Sequence, residues 1–303
     1  KGLYGVSVLS SIPEDILRVY ADSYGEDTAK KIAAHFACAS PSVTLRTNTL
    51  KTTREKLLAA LGSSASPTAL SPCGIRLSGS FPVEELFGFS DGLFFVQDEA
   101  SQLAAGLLKK EDVPAGGIVV DVCACPGGKS FSAAILLEDK AVFYDFDLHE
   151  NKLSLIRSGA ERLGITSITT AARDGRDPDP ALFEKASAVI CDVPCSGLGV
   201  LAKKPDIRYK PVSDSQRLPD IQREILKNSA KYVKAGGVLI YSTCTLNKRE
   251  NEDIVEAFLK ENPAFSLSDE EIVNGKCGMA TLFPYEYDTD GFFMAKLKKG
   301  GKA

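Results

Sequence analysis

The sequence has no run of about 18 apolar residues, so no membrane-spanning helix is expected. It shows no basic, apolar leader of the secretory kind. It has no Cys-x-x-Cys pair, and His35 and His149 are its only histidines, which argues against a structural metal site. Neither sign of charge dominates, with 36 Lys and Arg against 40 Asp and Glu for a formal net charge of −4. That balance argues against indiscriminate coating of nucleic acid and leaves room for a basic site on one face. Hydrophobic residues make up 44% and charged residues 25%, which excludes wholesale disorder, collagen-like repeats and a disulfide-stapled miniprotein.

The 303 residues can bury a sizeable core and suggest about two domains at roughly 150 residues each. Eight cysteines (Cys38, Cys73, Cys123, Cys125, Cys191, Cys195, Cys244 and Cys277) lack small-domain disulfide spacing. Reduced thiols in a cytoplasmic protein are the expectation. The first residue is Lys1 rather than Met, which reads as a processed or trimmed product.

Residues 1–90 read as a separate small α+β unit of neutral charge. Ser11-Ile12-Pro13-Glu14-Asp15 reads as a capped helix start, Val43–Asn48 alternates like a strand, Thr52–Leu61 reads as a helix ended by Gly62, and Ser63–Pro67 as a loop. From residue 91 to 303 strands and helices alternate. The expected strands are 93–96, 118–122, 141–146, 168–172, 186–192, 238–242 and 291–297. The expected helices are 99–109, 129–137, 150–163, 220–233 and 251–260. Repeated βα units predict a mostly parallel, doubly wound α/β sheet, whose ligands bind at the carboxyl ends of the strands. Charge is uneven: residues 197–249 hold eleven Lys and Arg against four Asp and Glu. A solvated face is the plain explanation, and a phosphate-contact surface the functional one.

Three motifs fall at strand ends. Asp121-Val122-Cys123-Ala124-Cys125-Pro126-Gly127-Gly128-Lys129 links a strand to a helix, where glycines admit a close ligand and the helix start favours negative charge. A phosphate loop would need glycine where Cys123 stands, so that reading fails. A nucleoside-binding turn predicts an acid closing the next strand about 20 residues on. Asp145 is there, 18 residues after Gly127, with Asp147 the second choice. Asp192-Val193-Pro194-Cys195-Ser196-Gly197 puts an acid and a thiol in one loop, and Tyr241-Ser242-Thr243-Cys244-Thr245 puts a thiol at another strand end. A free cysteine is ordinarily a small buried hydrophobe. Neither histidine lies in these motifs, so a Cys–His pair is poorly supported. A thiol adding to an electrophilic ring carbon needs no such partner if an acid such as Asp192 activates the ring.

These residues carry a resemblance. VQDEASQLAA (96–105), DVCACPGGK (121–129), YDFD (144–147), ARDGRD (172–177), DVPCSGLGV (192–200), KPDIRY (204–209), YSTCT (241–245) and DGFFMAKL (290–297) resemble, in order, the cytosine carbon-5 RNA methyltransferases of the Fmu/Sun/RsmB type, which act on bacterial 16S ribosomal RNA. RTNTLK (46–51) resembles that family's small RNA-binding domain. Two thiols, one in a Pro-Cys loop and one in a Thr-Cys turn, are its distinctive mark; carbon-5 DNA methyltransferases are expected to rely on the Pro-Cys thiol alone.

The resemblance implies a Rossmann-like S-adenosylmethionine-dependent enzyme, with residues 1–90 as an N-terminal RNA-binding domain and 91–303 as the catalytic domain. It implies that Cys123, Ala124, Cys125, Pro126, Gly127, Gly128 and Lys129 embrace S-adenosylmethionine. Asp145 would hold its ribose, Asp174 would sit near the adenine, and Asp192 would border both cofactor and base. Cys244 would be the nucleophile and Cys195 would help release the product. Cys125 departs from the family's usual alanine, a small-for-small change. The extra helical domain that often precedes this region is absent from the sequence, which fits a trimmed or shorter chain.

Other residues have plainer alternatives. Lys203, Lys204, Arg208 and Lys210 either contact RNA phosphates or form a solvated loop. Gln97, Asp98 and Ser101 either line the entrance or, for Asp98, cap a helix. His35 and His149 read as structural or surface residues, and Phe292 and Phe293 as core strand residues. RNA, most simply ribosomal, is the expected partner, with no membrane, no metal and a monomeric chain. The competing readings are a methyltransferase of transfer RNA or another nucleic acid, and a non-catalytic RNA-binding assembly factor.

Overall fold

A computed structural model describes residues 2–39, 42–79 and 82–301. Three helices open the chain: α1 (Leu3–Ser10), α2 (Glu14–Tyr24) and α3 (Glu26–Cys38). Acidic first turns at Glu14 and Asp15, and at Glu26 and Asp27, favour the starts of α2 and α3. Ser11 does not cap α2. It closes α1 in the left-handed region (φ 53°), and α2 starts behind Pro13 with no side-chain cap. Ile16, Leu17 and Tyr20 of α2 and Ile32 and Phe36 of α3 pack on Leu198, Leu201 and Leu246. The Tyr20 hydroxyl donates to the Leu198 carbonyl at 2.5 Å. These helices therefore cover the loops that carry both candidate thiols.

Next comes a four-stranded antiparallel sheet in the order β2-β3-β1-β4, made of β1 (Val43–Thr47), β2 (Ala65–Pro67), β3 (Gly74–Leu77) and β4 (Phe94–Val96). It is backed by α4 (Arg54–Leu61), which Thr53 caps and Leu57 anchors against Leu45, Ile75 and Phe94. The expected loop at 63–67 is in fact a 3-10 turn at Gly62–Ser64 followed by β2. An edge strand of three residues is too short to show alternation.

The rest is a doubly wound α/β unit, as expected. Five strands run parallel: β5 (Ile118–Asp121), β6 (Val142–Asp147), β7 (Ile168–Ala172), β8 (Ala186–Asp192) and β9 (Val233–Thr243). β10 (Phe265–Leu267), the hairpin of β11 (Glu271–Val273) and β12 (Lys276–Cys277), β13 (Met279–Leu282) and β14 (Phe292–Lys299) follow. The main sheet has the order β10-β14-β9-β8-β5-β6-β7, with β14 antiparallel to β9 and β13 also paired to β14. Alternate strand residues enter different cores. Val119, Phe143 and Ile190 face α5 (Glu99–Gly106), α6 (Gly128–Leu136) and α7 (Leu153–Leu163). Val120, Val189 and Leu239 face α8 (Leu218–Ser229) and α9 (Glu252–Glu261). A short α10 (Pro284–Tyr287) precedes β14. The connections diverge between β5 and β8, which opens a crevice at their carboxyl ends. Among the described residues, no helix is long and apolar enough to cross a membrane.

Candidate active site

Strand register sets the carboxylates in place. Asp121 pairs with Asp145 across β5 and β6, and Asp192 with Ser242 across β8 and β9. Buried Asp121 accepts from Ser130 Oγ (2.8 Å) and the Cys123 N–H (3.2 Å), tying the loop's start to the first turn of α6. Burial pushes its carboxyl up to about 7. Gly127 sits at φ 109°, where a Cβ would strike the Phe131 ring, so glycine is required there. α6 starts without a side-chain cap and leaves its first N–H groups open to a ligand. The loop borders a cavity of about 500 Å³ lined by Cys123, Ala124, Cys125, Pro126, Gly128 and Lys129, and also by Asp192, Cys244 and Phe292.

Asp145 is fully buried, and neither of its carboxylate oxygens has a hydrogen-bond partner among the described residues. Burial, with Asp121 beside it, holds its pKa well above the usual carboxylate range. Asp147 instead accepts from the Cys125 and His149 N–H groups, at 3.2 and 3.0 Å. Asp145 thus keeps its acceptors unspent, although it lies outside the residues that line the cavity. An uncapped helix start, a glycine turn and an orphaned buried carboxylate fit a nucleoside group. Asp174 lies outside the residues that line the cavity, and Arg176 grips its carboxylate at 2.7 to 3.1 Å.

The two thiols meet. Cys195 Sγ lies 3.4 Å from Cys244 Sγ, although 48 residues separate them in sequence. The Cys195 thiol, as donor, lowers the pKa of Cys244 against the effect of burial, and Lys129 and Lys204 add to the lowering. Its bond to Cys244, together with burial, holds Cys195 well above an ordinary thiol. The pair therefore shifts in opposite directions, Cys195 upward and Cys244 downward. Asp192 accepts from Lys129 Nζ at 2.5 Å and from Ser242 Oγ at 2.7 Å. Burial works against the Lys129 ammonium, but Asp192 outweighs it and keeps the group charged. Lys129 also lies over the Phe292 ring, 5.4 Å from its centroid. Lys129, a lysine of the glycine loop, thus puts a positive charge in the cavity that Cys244 lines, a neighbour that sequence spacing alone did not bring to it.

Sequence reading also missed the residues that hold the thiol loops. Buried Glu250 accepts from the Ser196 N–H (2.9 Å), Ser196 Oγ (2.5 Å), Gln222 Nε2 (2.9 Å) and Asn247 Nδ2 (2.8 Å). Gln222 also donates to the Pro194 carbonyl at 2.9 Å. Asn251 donates to the Thr245 carbonyl at 2.9 Å and accepts from Thr243 Oγ1 at 2.5 Å. The Gly199 N–H donates to the Cys244 carbonyl at 3.0 Å and the Gly291 N–H to the Gly199 carbonyl at 2.8 Å. The Asn247-to-Glu250 spacing is that of a capping pair and was the available signal.

At the rim, Gln97, Asp98 and Ser101 line the cavity, and Asp98 does cap α5. Lys203 pairs with Asp98 and Asp290, and burial next to Asp98 lifts the Asp290 carboxyl to about 7. Arg208 is spent on the carbonyls of Ser10, Ser11 and Phe36, at 3.4 to 3.5 Å. Lys204 borders the cavity and Lys210 is exposed. Phe293 is core, whereas Phe292 is buried but also borders the cavity. His35 is half-buried and His149 exposed, and neither lines the cavity.

Comparison with known proteins finds relatives along most of the chain. Residues 107–298 match the family described as 16S rRNA methyltransferase RsmB/F, and residues 12–84 match its RsmF/B-like ferredoxin-like domain. The probable ribosomal RNA small subunit methyltransferase B of Bacillus subtilis (strain 168) is 37% identical over 96% of this chain and 67% of its own length. Its counterpart in Synechocystis is 36% identical over 95% of this chain and 67% of its own length. The chain thus spans about two thirds of these relatives. The crystal structure of PH0851 superposes with a TM-score of 0.90 at 28% identity, covering 99% of this chain and 68% of that one.

Proposed function

The chain belongs to the 16S rRNA methyltransferase RsmB/F family, and from that premise we propose that it methylates carbon 5 of a cytosine in 16S ribosomal RNA through a covalent Cys244–cytosine intermediate. The observation that carries this reading is the 3.4 Å approach of the Cys195 sulfur to that of Cys244, which lines the cavity together with Asp192.

The methyl donor is S-adenosylmethionine, which the Cys123 to Lys129 loop and Asp192 would hold, with Asp145 behind the loop and Asp174 once Arg176 releases it; when bound it would supply carbon 5 with an electrophilic methyl and leave as the thioether S-adenosylhomocysteine. The target base must leave its stack to reach the cavity. The Cys244 thiolate adds to carbon 6 and forms a carbon–sulfur bond. The electron pair of the 5,6 double bond moves toward ring nitrogen 3, which takes a proton from Asp192, and Asp192 is in turn protonated by Lys129 at 2.5 Å. Carbon 5 becomes the nucleophile. After its proton is lost to a base, the carbon–sulfur bond breaks, and Cys195 protonates or assists the departing Cys244. Splitting one difficult displacement into an addition and an elimination lowers each barrier.

The test is Cys195→Ala incubated with S-adenosylmethionine and unmodified small-subunit ribosomal RNA. The expected result is an RNA–protein adduct that survives denaturing electrophoresis and is absent in Cys195→Ala/Cys244→Ala. Normal turnover by Cys195→Ala without adduct contradicts the two-thiol assignment.

A further inference from the structure

The exposed ring of Tyr209 has no part in the chemistry above. It is 88% exposed, more than any other large hydrophobic side chain among the described residues. A lone exposed aromatic is ordinary on a protein surface, but this one stands on a rigid base. Tyr209 ends a 3-10 turn, Pro205–Tyr209, in which the Ile207 N–H donates to the Lys204 carbonyl and the Lys210 N–H to the Ile207 carbonyl. On its N-terminal side Ile207 is buried among α2 and α3, while Arg208 is fastened to three carbonyls of the helical cap.

The same turn abuts the thiol loop. A Cβ on Gly197 would lie 2.9 Å from Ile207 Cδ1, and Gly197 is two residues from Cys195. At the turn's other end, Lys204 lines the cavity together with Cys244. Five residues at about 2 Å rise place the Tyr209 backbone about 10 Å from Lys204, or about three nucleotides at about 3.4 Å each. Lys204 and Lys210 stand exposed at the two ends of the turn, Lys210 within 3.8 Å of Asp206.

We propose that Tyr209 is a stacking platform for an unpaired base within about three nucleotides of the target cytosine, so that the substrate is recognised as a single-stranded segment. This rests on the function proposed above. A flipped cytosine leaves its neighbours without a stacking partner, and an aromatic ring replaces one in a sequence-tolerant way. The lysines at the two ends of the turn meet the phosphates, and the held backbone fixes where the ring is presented before RNA arrives.

The protein has no tryptophan, so Tyr209→Trp installs a unique fluorophore at the proposed contact. The probe is a single-stranded oligonucleotide of small-subunit ribosomal RNA containing cytosine, with a duplex of the same sequence alongside. Saturable quenching by the single strand is expected, with little by the duplex. An abasic site at one of the three positions on either side should abolish the quenching while anisotropy still reports binding. In methyl transfer, Tyr209→Ala should raise KM for RNA about tenfold with kcat little changed, and Tyr209→Phe should restore it. An unchanged KM in Tyr209→Ala, or quenching indifferent to every abasic site, overturns the proposal. If the wild type methylates no RNA but quenching still depends on one base, the stacking stands and the functional reading falls.

Discussion

The sulfurs of Cys244 and Cys195 are in contact at 3.4 Å, and this has a consequence for pH. The contact with Cys195 at 3.4 Å is the largest influence lowering the Cys244 pKa, and burial and the charge of Asp192 oppose it. Removing the donor leaves the burial, so Cys195→Ala should shift Cys244 upward. Iodoacetamide labelling followed by peptide mass spectrometry should give wild-type Cys244 a half-maximal rate below the ordinary thiol value of about 8.5, and a higher midpoint in Cys195→Ala. Equal midpoints would mean the sulfurs do not communicate. The adduct expected of Cys195→Ala should accordingly form faster at pH 9 than at pH 7. Much at this scale was legible beforehand, because Asp192, Cys195 and Cys244 sit in short polar motifs at predicted strand ends. Lys129 and Glu250 were not so legible. The lysine's reach to Asp192 and Cys244, and the four donors collected by Glu250, depend on which strand ends are neighbours, and that is a property of strand order.

The elements that hold these residues meet through glycine. A Cβ on Gly199 would lie 1.9 Å from the Gly291 carbonyl oxygen and 2.8 Å from that of Cys244, both fixed backbone. Gly199→Ala must therefore push apart the Pro-Cys loop, the Thr-Cys turn and the start of β14. The expected cost is about 1–3 kcal/mol in urea unfolding, with methyl transfer falling at least tenfold because the sulfurs separate. Wild-type stability and activity in Gly199→Ala would show that the close approach does not matter. Element type followed from the helical period of α7 and from the short apolar runs of β5 and β8, which are buried almost throughout. Boundaries moved where tertiary pairing took over. The helix expected over 220–233 is α8, Leu218–Ser229, because Val233 pairs with Ala186 and already begins β9. The segment from β10 to β13 was not foreseen, since its two- to four-residue strands carry no period and exist only as partners of β14 or of each other.

Across the whole molecule, three layers converge on one crevice. The parallel sheet supplies acids and thiols from the ends of β5, β6, β8 and β9. The helical cap of α1 to α3 presses on the loops that follow β8 and β9. The small antiparallel sheet delivers Gln97 and Asp98 directly after β4, and Gln97 donates to the Gly128 carbonyl at 3.0 Å. A doubly wound fold with its site at the strand ends was readable from alternation alone. The cap's position was not, because Ile12, Ile16 and Tyr20 look like ordinary amphipathic helix residues until Leu198 and Leu246 are seen beneath them. The account rests on Cys244 attacking a cytosine of RNA. Its most direct test is transfer from methyl-labelled S-adenosylmethionine to unmodified small-subunit ribosomal RNA, with Cys244→Ala and duplex DNA in parallel. Label recovered as 5-methylcytosine in the RNA, absent with the variant and with DNA, is the predicted result. Label retained by Cys244→Ala, or found on any other base or atom, would contradict it.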